Sequence, residues 1–99
     1  MTVYAVAQLT IHDRARYNRY QARFLEVLGR FRGRLLAADE NPAVVEGSWE
    51  HQKVVLLAFP DTAGFREWAD SPDYREIAAD RLAATHGVVL LVNGLDGTR

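Results

Sequence analysis

Residues 3–11 alternate. Val3, Ala5, Ala7, Leu9 and Ile11 form one apolar face, and Tyr4, Val6, Gln8 and Thr10 a mixed one, the period of a strand. The spacing then lengthens. Tyr17, Tyr20, Phe24, Val27, Leu28 and Phe31 recur at helical intervals behind the capping residue Asp13. Arg16, Arg19, Arg23 and Arg30 fall largely on the other side, and Gly29 and Gly33 mark the helix end. A second strand is predicted over Arg34–Asp39; Glu40-Asn41-Pro42 interrupts it and Ala43–Trp49 resumes it through a bulge or offset. Glu50-His51-Gln52 reads as a hairpin link, and Lys53–Phe59 as a third strand stopped by Pro60. Asp61 caps a short helix carrying Phe65 and Trp68. Ser71 caps the next, with Pro72 at its first helical position, and that helix is predicted to end near His86-Gly87. Val88–Asn93 is the last strand and Gly94–Arg99 a loose tail.

The order β-α-β-β-α-β is the ferredoxin-like pattern, an α+β fold with an antiparallel sheet and helices on one face. Val54–Phe59 and Val88–Val92 are apolar on both faces. A sheet with one wet face would alternate instead. Two such strands imply a second cover, and an identical sheet from another copy is the economical one, which predicts a two-fold homodimer.

The last helix carries the most informative position. Tyr74, Ile77, Ala78, Leu82 and Thr85 define its inward face, and Arg81 lies on that same face. A guanidinium there requires a protein carboxylate or an anionic ligand, because an unpaired buried charge is costly. Glu46, in the apolar context Val44-Val45-Glu46-Gly47, is the expected counter-charge. If the two pair bidentately, both are explained structurally and Glu46 is a weak base. If Arg81 binds a substrate anion, Glu46 is free to move a proton. Trp49 and Trp68 are core residues or flat walls for a planar ligand. Tyr74 and Tyr20 offer hydroxyls. Ser71 reads foremost as a cap; with no base patterned beside it a nucleophilic serine is rejected, and it stands among the ligand-binding candidates.

Composition narrows the function classes. The chain has 99 residues, 48% of them hydrophobic, and a net charge of −1, as for one ordinary globular domain spanning residues 1–99. There is no run of the roughly 18–20 apolar residues a membrane helix needs and no signal-peptide pattern at Met1-Thr2-Val3-Tyr4. The absence of cysteine excludes disulfides and thiol chemistry and fits a cytoplasmic location. Residues 1–34 hold seven arginines against Asp13 and Glu26, a balance of +5, and residues 35–99 hold five basic and eleven acidic residues, a balance of −6. This reads as a solvated helix face beside an acidic neighbour. The alternative, a nucleic-acid surface, lacks the interleaved aromatics of single-strand binders. His12, His51 and His86 are far apart in sequence and show no metal-ligand spacing, so no metal is expected. Phosphate loops and dinucleotide fingerprints are absent, and arginine outnumbers lysine eleven to one.

Taken together, Glu46-Gly47-x-Trp49, Phe59-Pro60, Trp68-x-x-Ser71-Pro72-x-Tyr74 and Arg81, with Tyr17, Tyr20 and Gly33-Arg34-Leu35-Leu36, resemble the small bacterial proteins of domain of unknown function 1330. The first helix lacks the proline associated with that family, and a glycine pair before the second strand is reduced to Gly33. The resemblance implies a dimeric α/β barrel of the ferredoxin-like superfamily, which includes cofactor-free monooxygenases, isomerases, haem-handling enzymes and stress-response barrels. It maps the family's usual residues to Glu46, Trp49, Trp68, Ser71, Tyr74 and Arg81. The expectation is a cofactor-independent isomerase, cyclase or oxygenase acting on a planar organic anion. Arg81 would clamp the anion, Glu46 or Tyr74 move the proton, and Trp49, Trp68, Ser71 and Tyr20 contact the ligand. The alternatives are a non-catalytic metabolite-binding dimer with a structural Glu46–Arg81 pair and, last, a nucleic-acid-binding module.

Overall fold

The computed structural model describes residues 1–96. Its elements are β1 (Val3–Ile11), α1 (Arg14–Leu28), β2 (Arg34–Asp39), β3 (Lys53–Phe59), α2 (Thr62–Ala69), α3 (Pro72–Ala84) and β4 (Thr85–Asn93). The helices start where their caps predict. Asp13 accepts from the Arg16 amide, Asp61 from Gly64 and Ser71 from Tyr74, each side chain satisfying an amide that the first turn leaves unpaired. The sheet runs β2-β3-β1-β4 with every pairing antiparallel. This is the ferredoxin-like arrangement, with its second helix divided into α2 and α3.

Register separates the two faces. Val3, Ala5, Ala7 and Leu9 lie opposite Phe59, Leu57, Val55 and Lys53, and all but Ala7, Val55 and Lys53 join the buried core with Tyr17, Phe24, Val27, Trp68 and Ile77 of the helices. The other face presents Val6 between Leu56 and Leu90, Gln8 between Val54 and Val88, and Val92 beside Tyr4. Val88, Leu90 and Val92 are 48%, 48% and 44% exposed. Of the two strands apolar on both sides, β3 buries Leu57 and Phe59 under the helices, whereas the edge strand β4 is exposed on both faces from His86 onward.

Three boundaries and one side-chain orientation differ from the sequence reading. Residues 43–49 form no strand and are mostly exposed. Pairing of β2 with β3 ends at Asp39–Val54, so the segment has no ladder to join. Pro42 and the left-handed Gly47 (φ +82°) turn it away. The connection is therefore a loop over residues 40–52, and the irregularity in β2 falls between Leu35 and Ala37. Next, α3 ends at Ala84 and β4 begins at Thr85. The Ala84 carbonyl accepts from the amides of His12 and Asp13 at 2.9 and 3.2 Å, and these bonds pull the chain straight into the sheet. Leu82, expected inward, is 67% exposed, one step of about 100° off the stripe occupied by Tyr74, Ile77, Ala78 and Arg81. Finally, the tail is tied as far as Asp96. Gly94 donates to the Thr2 carbonyl at 2.7 Å, and Asp96 accepts from the Thr2 amide and hydroxyl. The remainder of the expected loose tail, residues 97–99, lies outside the described residues.

The charge asymmetry resolves into pairs that α1 and the turn after it make with α3. Arg16 and Arg19 meet Asp80, Arg23 meets Glu76, and Arg30 meets Asp73. These are exposed or part-buried contacts, and the exposed ones contribute at most about 1 kcal/mol each. They occupy the arginines a nucleic-acid surface would have used.

Close approach of β1 and β4 depends on Gly87, where an added Cβ would collide with the Gln8 carbonyl oxygen. Gly87→Ala is expected to lower stability by roughly 1–3 kcal/mol, because a backbone atom cannot move aside as a side chain can. A urea denaturation midpoint equal to the parent's would show that the strands separate freely there.

Candidate functional site

A cavity of about 360 Å³ lies between the sheet and the helices. Its floor is β1 and β3, where Ala5 and Ala7 stand beside Leu57 and Val55. These two short side chains leave the space that larger ones would fill. Tyr17, Tyr20 and Phe24 of α1 form one wall, and Trp68, Tyr74 and Arg81 of α2 and α3 another. The exposed Gln21, Leu25, Leu35 and Ala38 also line it, placing its mouth between α1 and β2.

The aromatic end is tightly built. Trp68 and Tyr74 have ring centroids 4.0 Å apart, with Phe59 5.4 Å and Phe24 6.0 Å from Trp68. At mid-cavity the hydroxyls of Tyr20 and Tyr74 share a 2.9 Å hydrogen bond. The Arg81 guanidinium carbon stands 5.9 Å from the Tyr20 ring centroid. Burial opposes the charge on Arg81, but the Tyr74 and Tyr20 oxygens beside it outweigh burial and hold its pKa above the ordinary value. Burial foremost, with Tyr74 adding to it, drives the Tyr20 phenol well above its usual range. Burial likewise pushes Tyr17 up to about 12. Tyr17 and Tyr20 are therefore neutral donors near pH 7.

Two donors stand out. Arg81 Nε and Trp68 Nε1 are buried with no hydrogen-bond partner among the described residues, although buried donors are nearly always paired. The lining contains no aspartate or glutamate. It does contain Lys53, only 4% exposed, whose Nζ donates to Gln21 Oε1 at 2.8 Å and lies 3.7 Å from Glu40 Oε2. The cavity thus offers cations and N–H or O–H donors around an apolar floor. It suits a flat, mostly apolar molecule with anionic or acceptor oxygens.

Residues 2–95 match the domain of unknown function 1330. The chain belongs to this family. No curated protein matches it. Among solved structures it is similar to a protein of unknown function from Rhodopseudomonas palustris, at 18% identity and a TM-score of 0.80 over 96% of this chain and 83% of that one. It is also similar to SnoaB, a cofactor-independent oxygenase from Streptomyces nogalater, at 16% identity and a TM-score of 0.66 over 98% and 96% of the two chains. A dimeric ferredoxin-like protein of unknown function from Thermobifida fusca matches at 16% identity and a TM-score of 0.67 over 95% and 92%. At such identities these likenesses show the fold alone, and the fold is ferredoxin-like.

Of the six residues singled out by the resemblance to domain of unknown function 1330, Trp68, Tyr74 and Arg81 line the cavity, and Tyr20 joins them. The other three do not. Glu46 lies exposed in the 40–52 loop, and among the described residues it makes no ion pair with Arg81. The expected structural pair is not formed, because the strand that would have carried Glu46 inward does not exist. Trp49 belongs to the opposite face, where its Nε1 donates to Gln8 Oε1 at 3.0 Å. Ser71 is a buried cap. Its hydroxyl donates to the Trp68 carbonyl at 2.8 Å and accepts from the Tyr74 amide at 3.1 Å, so it shapes the cavity wall by joining α2 to α3.

Lys53, Tyr17 and Gln21 were not among the sequence candidates. The signal for Lys53 was present, a lone lysine heading the strand Val54–Phe59. The three histidines, remote in sequence, gather at one end of the sheet. His86 has ring centroids 6.1 Å from His12 and 6.3 Å from His51, and Thr10 Oγ1 lies 3.0 Å from His51 Nδ1. Among the described residues no group of three such side chains is placed to hold a metal ion. Among the described residues no helix is long and apolar enough to cross a membrane.

Proposed function

We propose that this protein is a homodimer whose cavity binds a small planar organic anion in each subunit and acts on it without a cofactor, as an isomerase, cyclase or monooxygenase. The observation that carries this is the pair of buried, unpartnered donors, Arg81 Nε and Trp68 Nε1, in a cavity with no carboxylate of its own. Leaving each unpaired costs about 1–3 kcal/mol, which a carboxylate, phenolate or enolate oxygen would recover. Arg81 holds that oxygen. The Tyr20–Tyr74 hydroxyl pair donates to charge that develops during reaction. Trp68 provides the flat wall. The likeness to SnoaB, named a cofactor-independent oxygenase, agrees with this reading. The half-exposed valines and leucine of the open sheet face and the dimeric Thermobifida fusca neighbour support the two-fold partner.

One observation favours a second reading, binding without catalysis: the cavity lining contains neither a carboxylate nor an imidazole to serve as a general base. Native mass spectrometry of protein from its own host, paired with tryptophan fluorescence titration by benzoate and by benzamide, tests both parts. A dimer that retains an anionic compound, or binds benzoate in preference to benzamide, is the expected result. A monomer defeats the assembly. Equal response to the two probes defeats the anion site.

A further inference from the structure

The chain contains one lysine and eleven arginines, and the lysine is the buried one. Among the described residues every arginine except Arg16 and Arg81 is exposed, whereas Lys53 is 4% exposed and lines the cavity. The two cations differ in one chemical respect. A guanidinium cannot be deprotonated in a protein, but an ammonium can.

The surroundings of Lys53 Nζ favour an amine. Its close hydrogen-bond partner is a neutral amide, Gln21 Oε1 at 2.8 Å. The nearest carboxylate, Glu40, lies farther off at 3.7 Å and is already engaged by both terminal nitrogens of Arg14 at 2.8 and 3.1 Å. The Tyr17 ring centroid lies 4.8 Å away, and Tyr17 Oη holds no negative charge near pH 7 to pair with the ammonium. Burial lowers the pKa of Lys53 from its ordinary value, partly countered by Glu40. At the opposite end of β3 is the aromatic wall around Phe59 and Trp68.

We propose that Lys53 is an imine-forming amine, and that the cavity takes planar aldehydes or ketones bearing an acidic group, whose carbonyl carbon Nζ attacks. This rests on the reading of the cavity as an anion site and specifies its ligand class. The ammonium first releases a proton to water. The nitrogen lone pair then forms a C–N bond as the carbonyl π pair moves to oxygen. Proton transfer from nitrogen to that oxygen gives a neutral carbinolamine, which takes up a proton and loses water as the C=N bond closes. The sum is ammonium plus carbonyl compound giving protonated imine plus water, with no oxidant or reductant. The protonated imine draws electrons from the adjacent carbon. This would supply the activation that a lining without carboxylate or imidazole otherwise lacks.

The test is reductive trapping with 4-carboxybenzaldehyde and sodium cyanoborohydride at neutral pH, read by intact mass and peptide mapping. Because Lys53 is the sole lysine, any addition away from the N-terminal amine reports on it. The expected result is one addition at Lys53, of the aldehyde's mass less one oxygen. It should form about tenfold or more faster than on Nα-acetyl-lysine, since a bound carbonyl is held near the amine. The advantage should vanish in urea and fall on addition of benzoate. Lys53→Met should fold and lose the addition. Benzoate binding with Lys53 labelled no faster than Nα-acetyl-lysine would overturn the imine and leave the anion site standing. Fast labelling that benzoate does not slow would uphold the amine and overturn the anion site. Neither binding nor labelling would overturn both.

Discussion

Replacing Arg81 with lysine should weaken benzoate binding by about ten- to a hundredfold without loss of fold. The guanidinium offers a planar fork of donors whose Nε is buried and unpartnered. An ammonium supplies one point charge at a different depth. Losing a hydrogen bond to a charged group costs about 1.5–3 kcal/mol, and each 1.4 kcal/mol is tenfold in affinity. Stability should move little with Arg81→Met, because burial of the charge and its interaction with the Tyr74 and Tyr20 oxygens are both lost and act in opposite directions. The decisive readout is therefore a split: a fluorescence titration shifted to weaker binding beside an unchanged thermal midpoint. Parent-like affinity in both variants would mean that the anion, if one binds, meets Lys53 instead. Loss of stability with retained affinity would mean that Arg81 serves the packing of α3. Tyr74→Phe is a useful companion. It removes one of the two hydroxyls joined at 2.9 Å while keeping the ring packed against Trp68.

Leu90→Glu should convert the proposed dimer to a monomer. Leu90 lies opposite Val6 on the open sheet face and is 48% exposed in the single chain, so a carboxylate there remains solvated as long as the subunit is alone. In a two-fold sheet-to-sheet contact each copy would bring one charge, and both would be buried among Val88, Val92, Leu56 and their equivalents. Burying an unpaired carboxylate costs several kcal/mol. Two of them should weaken association by about a thousandfold or more. Sedimentation or light scattering reads the mass, and circular dichroism confirms that the ladders of β1 with β3 and β4 persist. A variant that stays dimeric places the contact elsewhere. A parent that is already monomeric removes the need for any cover on that face. The cavity opens on the helix side of the sheet, between α1 and β2, so a monomeric variant should still bind benzoate. Loss of binding together with the dimer would show that the partner completes the site.

What could be read from the chain alone follows the range of the forces involved. Asp13, Asp61 and Ser71 announce their helices because a cap acts within three residues of its own position. Alternation from Val3 to Ile11, and the absence of it from Val54 to Phe59, identify strands with one apolar face or two, because side chains alternate whatever lies above them. Periodicity alone turns Arg81 inward with Tyr74 and Ile77. The partner of Arg81 was another matter. Glu46 looked suitable because it stands among valines, yet β2 ends at Asp39 and Gly47 turns left-handed, so that stretch never enters the sheet.

Element order, the two-faced strands and the inward arginine were thus settled by the sequence itself, since each depends on neighbours within about a turn. The antiparallel register of β1 with β3, by contrast, placed Lys53 opposite Leu9 and beneath Tyr17, and the short Ala5 and Ala7 over the space that became the cavity. The packing of α1 on α3 joined the Tyr20 and Tyr74 hydroxyls across 54 positions of chain. Those contacts are non-local, fixed by strand pairing and helix docking, and the residues that make them carry no mark of their distant partners.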